Sequence, residues 1–340
     1  LHSTSRRQRQ MCIRDSAYTK QPNDFTQNIG NGSYSTADSY VKQVWDGRYT
    51  GIRMCNQLLE NIDRVPDLDP ELKKRYIGEA KVLRAYSYYE LYTKFGDVPY
   101  TTKVLSIKES MSIARTAKAT VIANVLADLD EVINGNYLPT SYDADNKGRI
   151  TRWAAMAIKA KIYLFEGNWT QVKNITSTIM TEGGFKLFGS YAGLFEIANE
   201  YNSEVILDAQ YRPTSREHQM MYVFLPPTLG GYSQLSPLQE LVDSYIMLDG
   251  KTIKETGTSF DESHPYANRD PRLKATVMYT GNSYTLADGT EVVINCEKGE
   301  GKDGYGVGSD CSATGYYIKK YWDNTYRATL YSCLLYTSPS

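Results

Sequence analysis

The sequence has few of the residues on which metal centres and nucleic-acid interfaces depend. Its 340 residues include three histidines, so a histidine-based metal site is not expected. The 38 Lys and Arg residues nearly balance the 39 Asp and Glu residues, whereas a protein that binds the nucleic-acid backbone needs a surplus of positive charge. No run approaches the roughly 20 consecutive apolar residues of a membrane-spanning helix. With 41% hydrophobic and 23% charged residues, the composition is that of a folded globular chain.

Motifs for common enzymes and cofactors do not occur or fail in their context. Residues 299–304 match the dinucleotide pattern G-x-G-x-x-G, but further glycines follow where a helix should begin, so a surface loop is the better interpretation. A calcium-loop pattern that starts at Asp143 breaks at Lys147, which stands at a ligand position. No nucleophile motif accompanies His218 or His264. We therefore predict no metal site and no cofactor.

The two ends of the chain differ from the rest. Residues 1–16 contain four Arg and no periodic pattern, and residues 333–340 are equally patternless. We interpret both segments as non-native, adaptor-derived ends and leave them out of the fold prediction. We also expect the natural protein to extend beyond both ends. The remaining chain is predicted to be one domain with a helical half, residues 17–184, and a loop-rich half, residues 185–332.

The helical half contains five segments in which apolar residues recur every three or four positions. The five predicted helices cover residues 41–62, 70–95, 121–132, 151–166 and 169–180. Asp69 is the expected cap of the second helix, with Pro70 at its first position and Leu83 and Leu91 on its predicted apolar stripe. Short links make neighbouring helices antiparallel, so residues 153–181 resemble a tetratricopeptide-type helix pair. An unrelated helical bundle is the alternative.

The loop-rich half loses the helical period after residue 184. Residues 204–211 and 275–280 are predicted as short strands, and residues 284–295 as a hairpin that turns at Asp288 and Gly289. Proline and glycine positions between residues 226 and 237 mark long loops. Loops held on a rigid scaffold are common places for binding residues, so we expect the binding face here.

Tyrosine is the compositional anomaly, with 29 Tyr against 8 Phe. Tyrosines within the predicted helices are expected to pack in the core, whereas aromatics at or near irregular segments can face a ligand. Such flat apolar faces pack against sugar rings while nearby polar side chains bond the sugar hydroxyls. Ordinary packing is the alternative for each one. The five predicted ligand-binding residues are Trp45, Tyr232, Tyr266, Tyr284 and Trp322.

Cys296 and Cys311 flank the glycine-rich stretch. In an oxidising compartment a disulfide between them would stabilise the fold by about 3 kcal/mol. Two free thiols are the interpretation that we adopt.

Seven segments, in order along the chain, resemble the SusD/RagB family of surface lipoproteins from Bacteroidetes. They include YTGIRMCNQLLENI at residues 49–62, GEAKVLRAYSYYELYTKFGDVP at 78–99 and GRITRWAAMAIKAKIYLFEGNW at 148–169. The shorter ones are DLDEV at 128–132, LVDSYIMLDG at 241–250, NRDPRL at 268–273 and TGYYIKKY at 314–321.

This resemblance implies a mainly α fold, a SusD-like α/α superhelix of tetratricopeptide-like helix pairs with a loop-rich part carrying short strands. It implies a non-catalytic protein at the outer membrane, lipid-anchored in its full-length form, that binds glycans and delivers them to a TonB-dependent transporter of the SusC type. Peptide binding of the RagB kind is the alternative within the family. A glycoside hydrolase and a cytosolic repeat adaptor are the alternatives outside it.

The family segments supply candidates for structure rather than for binding, because the family's ligand-binding residues follow no shared motif. Charged residues inside these segments must be paired if they are buried. The predicted structural polar network consists of Glu79, Arg84, Arg269, Asp270 and Arg272.

Overall fold

A computed structural model describes residues 17–19, 32–211, 220–286 and 288–322. Within these ranges the chain forms two compact units. The helical unit comprises residues 35–187 and 203–207, and the loop-rich unit comprises the other described residues. The mainly α fold class predicted from the sequence is confirmed. Among the described residues, far more lie in α-helices than in β-strands, and the strands are only two or three residues long.

The helical unit contains six α-helices. They are α1 (Ser39–Asn61), α2 (Pro70–Phe95), α3 (Ile107–Ser112), α4 (Lys118–Asn134), α5 (Arg152–Glu166) and α6 (Trp169–Glu182). The long helices pack in sequence, α1 on α2, α2 on α4, α4 on α5 and α5 on α6, as the short links require. All five predicted helices are confirmed, and α3 is an addition whose capping box of Ser106 and Glu109 lies outside any apolar pattern.

The ends of the long helices are fixed by the residues that the sequence indicated. The Asp69 carboxylate accepts a hydrogen bond from the Leu72 N–H at 2.8 Å and so caps α2. Thr151 caps α5 in the same way. Gly167 ends α5 with a φ of 76°, a left-handed conformation that glycine adopts without strain.

The core of the helical unit is rich in tyrosine. Tyr88, Tyr89 and Tyr92 of α2 are buried there, which confirms the packing role predicted for helical tyrosines. The single apolar stripe predicted for α2 is wrong, because Leu83 is 49% exposed while Arg84 beside it is buried. The reason is that α2 packs against α1, α4 and α5 at once, so nearly its whole C-terminal half is covered.

The loop-rich unit holds three short helices and three two-stranded antiparallel sheets. The helices are α7 (Met220–Phe224), α8 (Gln239–Ser244) and α9 (Pro271–Thr276). The strands are β1 (Ala17–Thr19), β2 (Leu235–Pro237), β3 (Val277–Met278), β4 (Ser283–Thr285), β5 (Glu291–Val293) and β6 (Tyr317–Ile318). The pairs are β1 with β2, β3 with β6, and β4 with β5.

The strand predictions have mixed outcomes. The hairpin is confirmed, with Ser283 opposite Val293 and a turn that includes Gly289 at φ 81°. Residue 287 lies outside the described residues. The predicted strand at 275–280 is partly correct, because α9 continues to Thr276 before β3 begins.

The predicted strand at residues 204–211, all of which the structure describes, is wrong. This segment has no partner strand, and its start is held by one backbone hydrogen bond from the Lys186 N–H to the Ser203 carbonyl at 3.0 Å. The side chains of Ile206 and Leu207 pack on the core of the helical unit instead. The apolar pattern therefore reflects packing on helices rather than pairing in a sheet.

Among the described helices, none combines the length and the apolar character that a membrane span requires.

Candidate functional site

The five predicted ligand-binding aromatics lie in both units. Trp45 belongs to α1 of the helical unit, where its ring is 4.9 Å from that of Tyr49 and 5.1 Å from that of Phe95. The Arg115 guanidinium lies 5.7 Å from the centre of the indole ring. Trp45 is half-buried and is held between α1 and the end of α2.

Tyr284 and Trp322 contact each other in a buried part of the loop-rich unit. Their ring centres are 5.1 Å apart in an edge-to-face arrangement, and the Tyr284 hydroxyl donates a hydrogen bond to the Asn282 side chain. Burial strongly raises the pKa of Tyr284. Its ring occupies a core cluster with Ile294, so β4 directs this side chain inward.

Tyr266 is part of a stacked set of tyrosines. Its ring lies parallel to that of Tyr279, with 3.9 Å between centres, and its hydroxyl donates to the Tyr316 hydroxyl at 3.3 Å. The Tyr316 hydroxyl in turn donates to the Gln239 side chain. Burial raises the pKa of Tyr266, as expected for a half-buried phenol. This set ties α8 to the segments before α9 and before β6.

Tyr232 differs from the other four because its side chain is 38% exposed. Its ring contacts that of Tyr222 in a tilted arrangement, with 4.1 Å between centres and 43° between planes. The hydrogen bond between the two hydroxyls raises the pKa of Tyr222 to about 12, and the charge of Asp310 acts in the same direction. Sequence analysis missed Tyr222, because nothing in the pattern shows that it meets a residue ten positions later.

The backbone of a closed loop holds this tyrosine pair. The Tyr232 N–H donates to the Tyr222 carbonyl at 2.8 Å, and the Ser233 N–H donates to the Leu225 carbonyl at 3.2 Å. A Cβ on Gly231 would lie 2.1 Å from the Leu225 carbonyl oxygen, so only glycine allows this close approach. The loop that closes between Tyr222 and Tyr232 is called the tyrosine loop below.

The glycine-rich loop, residues 299–308, docks on the tyrosine loop. The Asp303 side chain is 2% exposed, and its carboxylate accepts a hydrogen bond from the Thr228 N–H at 2.8 Å. The Tyr317 hydroxyl of β6 donates to the Asp303 carbonyl at 2.6 Å. A Cβ on Gly304 would lie 2.0 Å from the Glu300 carbonyl oxygen. The glycines therefore serve a tightly folded loop, whose exposed side chains include Tyr305.

The tyrosine loop presents the exposed Tyr232 beside the half-buried Tyr222, and the charge of Asp310 acts on Tyr222. A ring face of Tyr232 can pack against C–H groups of a ligand, while phenol hydroxyls and Asp310 can bond its hydroxyl groups. Across the described ranges, no three acidic, histidine or cysteine side chains come together as metal ligands.

His264 forms a cluster with Asp261 and Ser263 that does not have the geometry of a catalytic triad. Both the Asp261 carboxylate and the Ser263 hydroxyl bond the same ring nitrogen, Nδ1, at 2.9 and 3.0 Å. A triad needs the nucleophile and the carboxylate on opposite ring nitrogens. Hydrogen bonds from Ser263 first, and then from His264, lower the pKa of Asp261 to about 2. His218 lies outside the described residues.

The predicted polar network is divided among separate contacts. In the helical unit, the buried Arg84 guanidinium bonds Asp128 at 2.7 Å and Asn56 at 2.9 Å, joining α2 to α4 and α1. Glu79 accepts two hydrogen bonds from Arg149, at 2.8 and 2.6 Å.

The other members lie in the loop-rich unit. Arg269 is buried, and its guanidinium donates to the carbonyls of Val242 and Tyr245 at 2.6 and 2.7 Å. Burial lowers the pKa of Arg269. Asp270 caps α9 and bonds Arg272 at 2.5 Å. Arg269 thus satisfies backbone carbonyls, whereas Asp270 and Arg272 pair with each other.

Cys296 and Cys311 are buried free thiols in the structure. Burial raises the pKa of Cys296 to about 12, so this thiol stays protonated and weakly nucleophilic at neutral pH. The Cys311 thiol donates a hydrogen bond to the Lys302 carbonyl at 3.2 Å. Both cysteines therefore act in packing in this structure.

Comparison with known proteins gives two family matches. Residues 2–164 match a SusD-like family described as starch-binding and associating with the outer membrane. Residues 193–332 match the SusD family itself.

Individual relatives are similar over different shares of the chain. The SusD-like protein P25 of Formosa agariphila is 32% identical over 166 residues, which are 49% of this chain and 31% of that protein. A SusD-like carbohydrate-binding protein from Bacteroides fragilis is 24% identical with a TM-score of 0.84, over 96% of this chain and 63% of that one. A laminarin-binding SusD-like protein is 23% identical with a TM-score of 0.69, over 90% of this chain and 65% of that one. The chain thus spans less than two thirds of each relative.

Proposed function

Because this chain belongs to the SusD family, we propose that it is a non-catalytic protein that binds glycans at the cell surface. The observation that carries the proposal is the exposed Tyr232 ring, which contacts the half-buried Tyr222 in the tyrosine loop. The geometry of the His264 cluster, with serine and aspartate on one nitrogen, offers no support for a hydrolytic site there.

Tyr232 is the proposed contact residue, since its ring is the most accessible of the five that the sequence indicated. The sugar ring packs on the tyrosine face, and the hydroxyls of the pair exchange hydrogen bonds with the sugar. Trp45, Tyr266 and Trp322 are half-buried, so they would take part through exposed edges, and the buried Tyr284 would act by supporting Trp322.

A shallow platform of this kind binds reversibly. A single sugar stacked on an exposed ring gains little free energy after the cost of ordering, so affinity for short oligosaccharides should be modest. Repeated units of a polymer raise the effective concentration and hence the avidity. Weak, reversible binding suits a protein that must release its ligand to a transporter.

The partner in this proposal is a TonB-dependent transporter of the SusC type, which takes the released glycan inward. The place is the outer surface of the outer membrane, with a lipid anchor in the full-length protein. Both follow from family membership, and the family description supports the association with the outer membrane.

The test is affinity electrophoresis of the 340-residue chain in gels that contain starch or laminarin. The Tyr232→Ala variant should weaken binding about fivefold, as expected for loss of one aromatic stack. Tyr34→Ala is the matched control, because Tyr34 is also a tyrosine of the loop-rich unit and is 40% exposed. Equal binding of the two variants would refute the site, and sugar release from either polymer by purified protein would refute the non-catalytic proposal.

A further inference from the structure

A second exposed aromatic in the loop-rich unit lies beside basic residues that sequence analysis did not connect. Tyr191 is 39% exposed, and the Lys320 ammonium is 5.9 Å from the centre of its ring. The same ammonium lies 4.2 Å from the ring centre of Phe195 and 5.6 Å from that of Tyr321. Three aromatic rings thus hold this charge in place by cation–π attraction.

The N–H groups of the Lys320 ammonium are available to donate hydrogen bonds. Aromatic faces attract the charge but accept hydrogen bonds poorly, and no ion pair or hydrogen bond within the described ranges uses this ammonium. Lys320 is half-buried, so part of this residue reaches solvent. A fixed, solvent-accessible ammonium is able to bind an anion.

Lys320 follows Lys319, on which the charge of Lys274 in α9 acts. The backbone N–H groups of Lys319 and Lys320 both donate to the Thr276 carbonyl, at 2.9 and 3.2 Å, which brings them to the end of α9. The Lys319 ammonium lies 5.3 Å from the ring centre of Tyr284. Burial first, and then the charge of Lys274, lower the pKa of Lys319, so these two cations are close enough to repel.

Acidic residues interact with two of the cations in this region. Asp270 pairs with Arg272, and the charge of Glu196 acts on Lys319. Lys274, Lys319 and Arg272 are thus the cations at and near α9, and each of these interactions is separate from the ring contacts of Lys320.

We propose that Tyr191 and Lys320 form a subsite for a negatively charged sugar unit, one that carries a carboxylate or a sulfate ester. The exposed face of Tyr191 packs against the sugar ring, and the Lys320 ammonium pairs with the anionic group. The subsite rests on the proposed function, because it adds charge selectivity to glycan binding. The subsite is too small for a nucleic acid, which needs a longer basic surface.

The experiment is titration calorimetry of the 340-residue chain with polygalacturonate, dextran sulfate and neutral laminarin at one ionic strength. Lys320→Met should weaken binding of the anionic polymers about fivefold, the upper end for an exposed ion pair, and leave laminarin binding unchanged. Lys320→Arg keeps the charge and should bind nearly as the parent does. Lys254→Met is the control, since Lys254 is an exposed lysine elsewhere in the same unit. The preferred anionic polymer identifies the carboxylate or the sulfate.

Each result decides the proposal. Binding of laminarin with no binding of either anionic polymer overturns the subsite and leaves the proposed function standing. No binding of any polymer overturns both. Equal losses in Lys320→Met and Lys254→Met mean diffuse attraction by the whole surface and also overturn the subsite. If Lys320→Met lowers the unfolding temperature, Tyr191→Ala must show the same selective loss for the subsite to stand.

Discussion

Arg84 and Arg269 are two buried guanidinium groups with different partners. Arg84 pairs with the Asp128 carboxylate, so a buried positive charge meets a negative one between neighbouring helices. Arg269 instead donates to the carbonyls of Val242 and Tyr245, which lie in and just after the last turn of α8. The last carbonyls of a helix lack partners within it and carry partial negative charge, so Arg269 acts as a C-terminal cap.

Replacement of Arg84 by methionine should strongly destabilise the helical unit. The Asp128 carboxylate would remain largely buried, with the Lys81 ammonium 3.9 Å away as its nearest cation. Breaking one side of such a buried pair typically costs about 3–5 kcal/mol of unfolding free energy. Urea denaturation measures this loss. Arg64→Met is the control, because the exposed Arg64 contacts only its own helical end.

The double variant Arg84→Met with Asp128→Leu gives a second check. Removing both charges should recover much of the stability that the single change loses, since no uncompensated charge remains. A single variant as stable as the Arg64→Met control would contradict the buried pairing.

The tyrosine loop depends on one close backbone approach. Gly231 lies against the Leu225 carbonyl, and the next residue along the chain is the exposed Tyr232. A side chain at Gly231 would push the backbone at residue 231 away from that at Leu225 and would break the ring contact between Tyr232 and Tyr222. The geometry of the proposed binding element therefore depends on a glycine beside the proposed contact residue.

Gly231→Ala should weaken glycan binding as much as Tyr232→Ala does, although no ligand-contacting atom is removed. The reason is that the new Cβ has no room, so the Tyr232 backbone must shift. Gly189→Ala is the matched control, because nothing lies within 4 Å of a Cβ at that glycine of the same unit. Affinity electrophoresis with near-ultraviolet circular dichroism reports both binding and tyrosine packing. Undiminished binding by Gly231→Ala would show that the loop tolerates the shift.

Helices could be predicted from the sequence because period and caps are local signals. Asp69 before Pro70 and the glycine at 167 mark the ends of α2 and α5 in the structure as they do in the sequence. The segment 204–211 could not be predicted, because its apolar residues serve helices that are distant in sequence. A local sequence pattern shows that a residue is buried, but it does not show which elements the residue packs against.

The candidate site follows the same rule. The loop position of Tyr232 could be predicted because glycine and proline around it indicate a loop, and its role in binding stays a prediction. Its partner Tyr222 lies in α7. The two residues meet through a backbone hydrogen bond across ten positions of the chain, so no local pattern reveals the pair. The cation–π contacts of Lys320 were missed for the same reason, since Tyr191 and Phe195 are distant from Lys320 in sequence.

The abundance of tyrosine across the molecule has a structural explanation. Several buried or half-buried tyrosines use the ring to fill a core and the hydroxyl to bond a backbone carbonyl of an irregular segment. Tyr49 bonds Pro99, Tyr88 bonds Thr101, and Tyr317 bonds Asp303. Tyrosine thus fixes irregular segments to helices and strands, which phenylalanine could not do.

The charges of the whole molecule predict loss of stability in acid. Among the residues that the structure describes, folding lowers the pKa of six carboxyl groups, chiefly through hydrogen bonds that they accept from nearby side chains and backbone N–H groups. They are Glu109, Glu131, Asp143, Asp249, Asp261 and Asp270. A lowered pKa in the folded state means that the unfolded chain takes up protons first, so the contribution is complete above about pH 5 and is lost as the pH falls. Burial raises the pKa of Asp208, so this one carboxyl group makes an opposite contribution to the dependence of stability on pH.

The unfolding temperature should therefore decrease steadily from about pH 5 to about pH 3, at constant ionic strength in scanning calorimetry. Asp270→Asn removes the carboxylate that caps α9 and pairs with Arg272, so this variant should start lower and decline less steeply. Glu262→Gln changes an exposed acid of the same unit and should follow the parent curve. A parent protein whose unfolding temperature is constant over this range would show that these hydrogen-bonded carboxylates do not stabilise the fold.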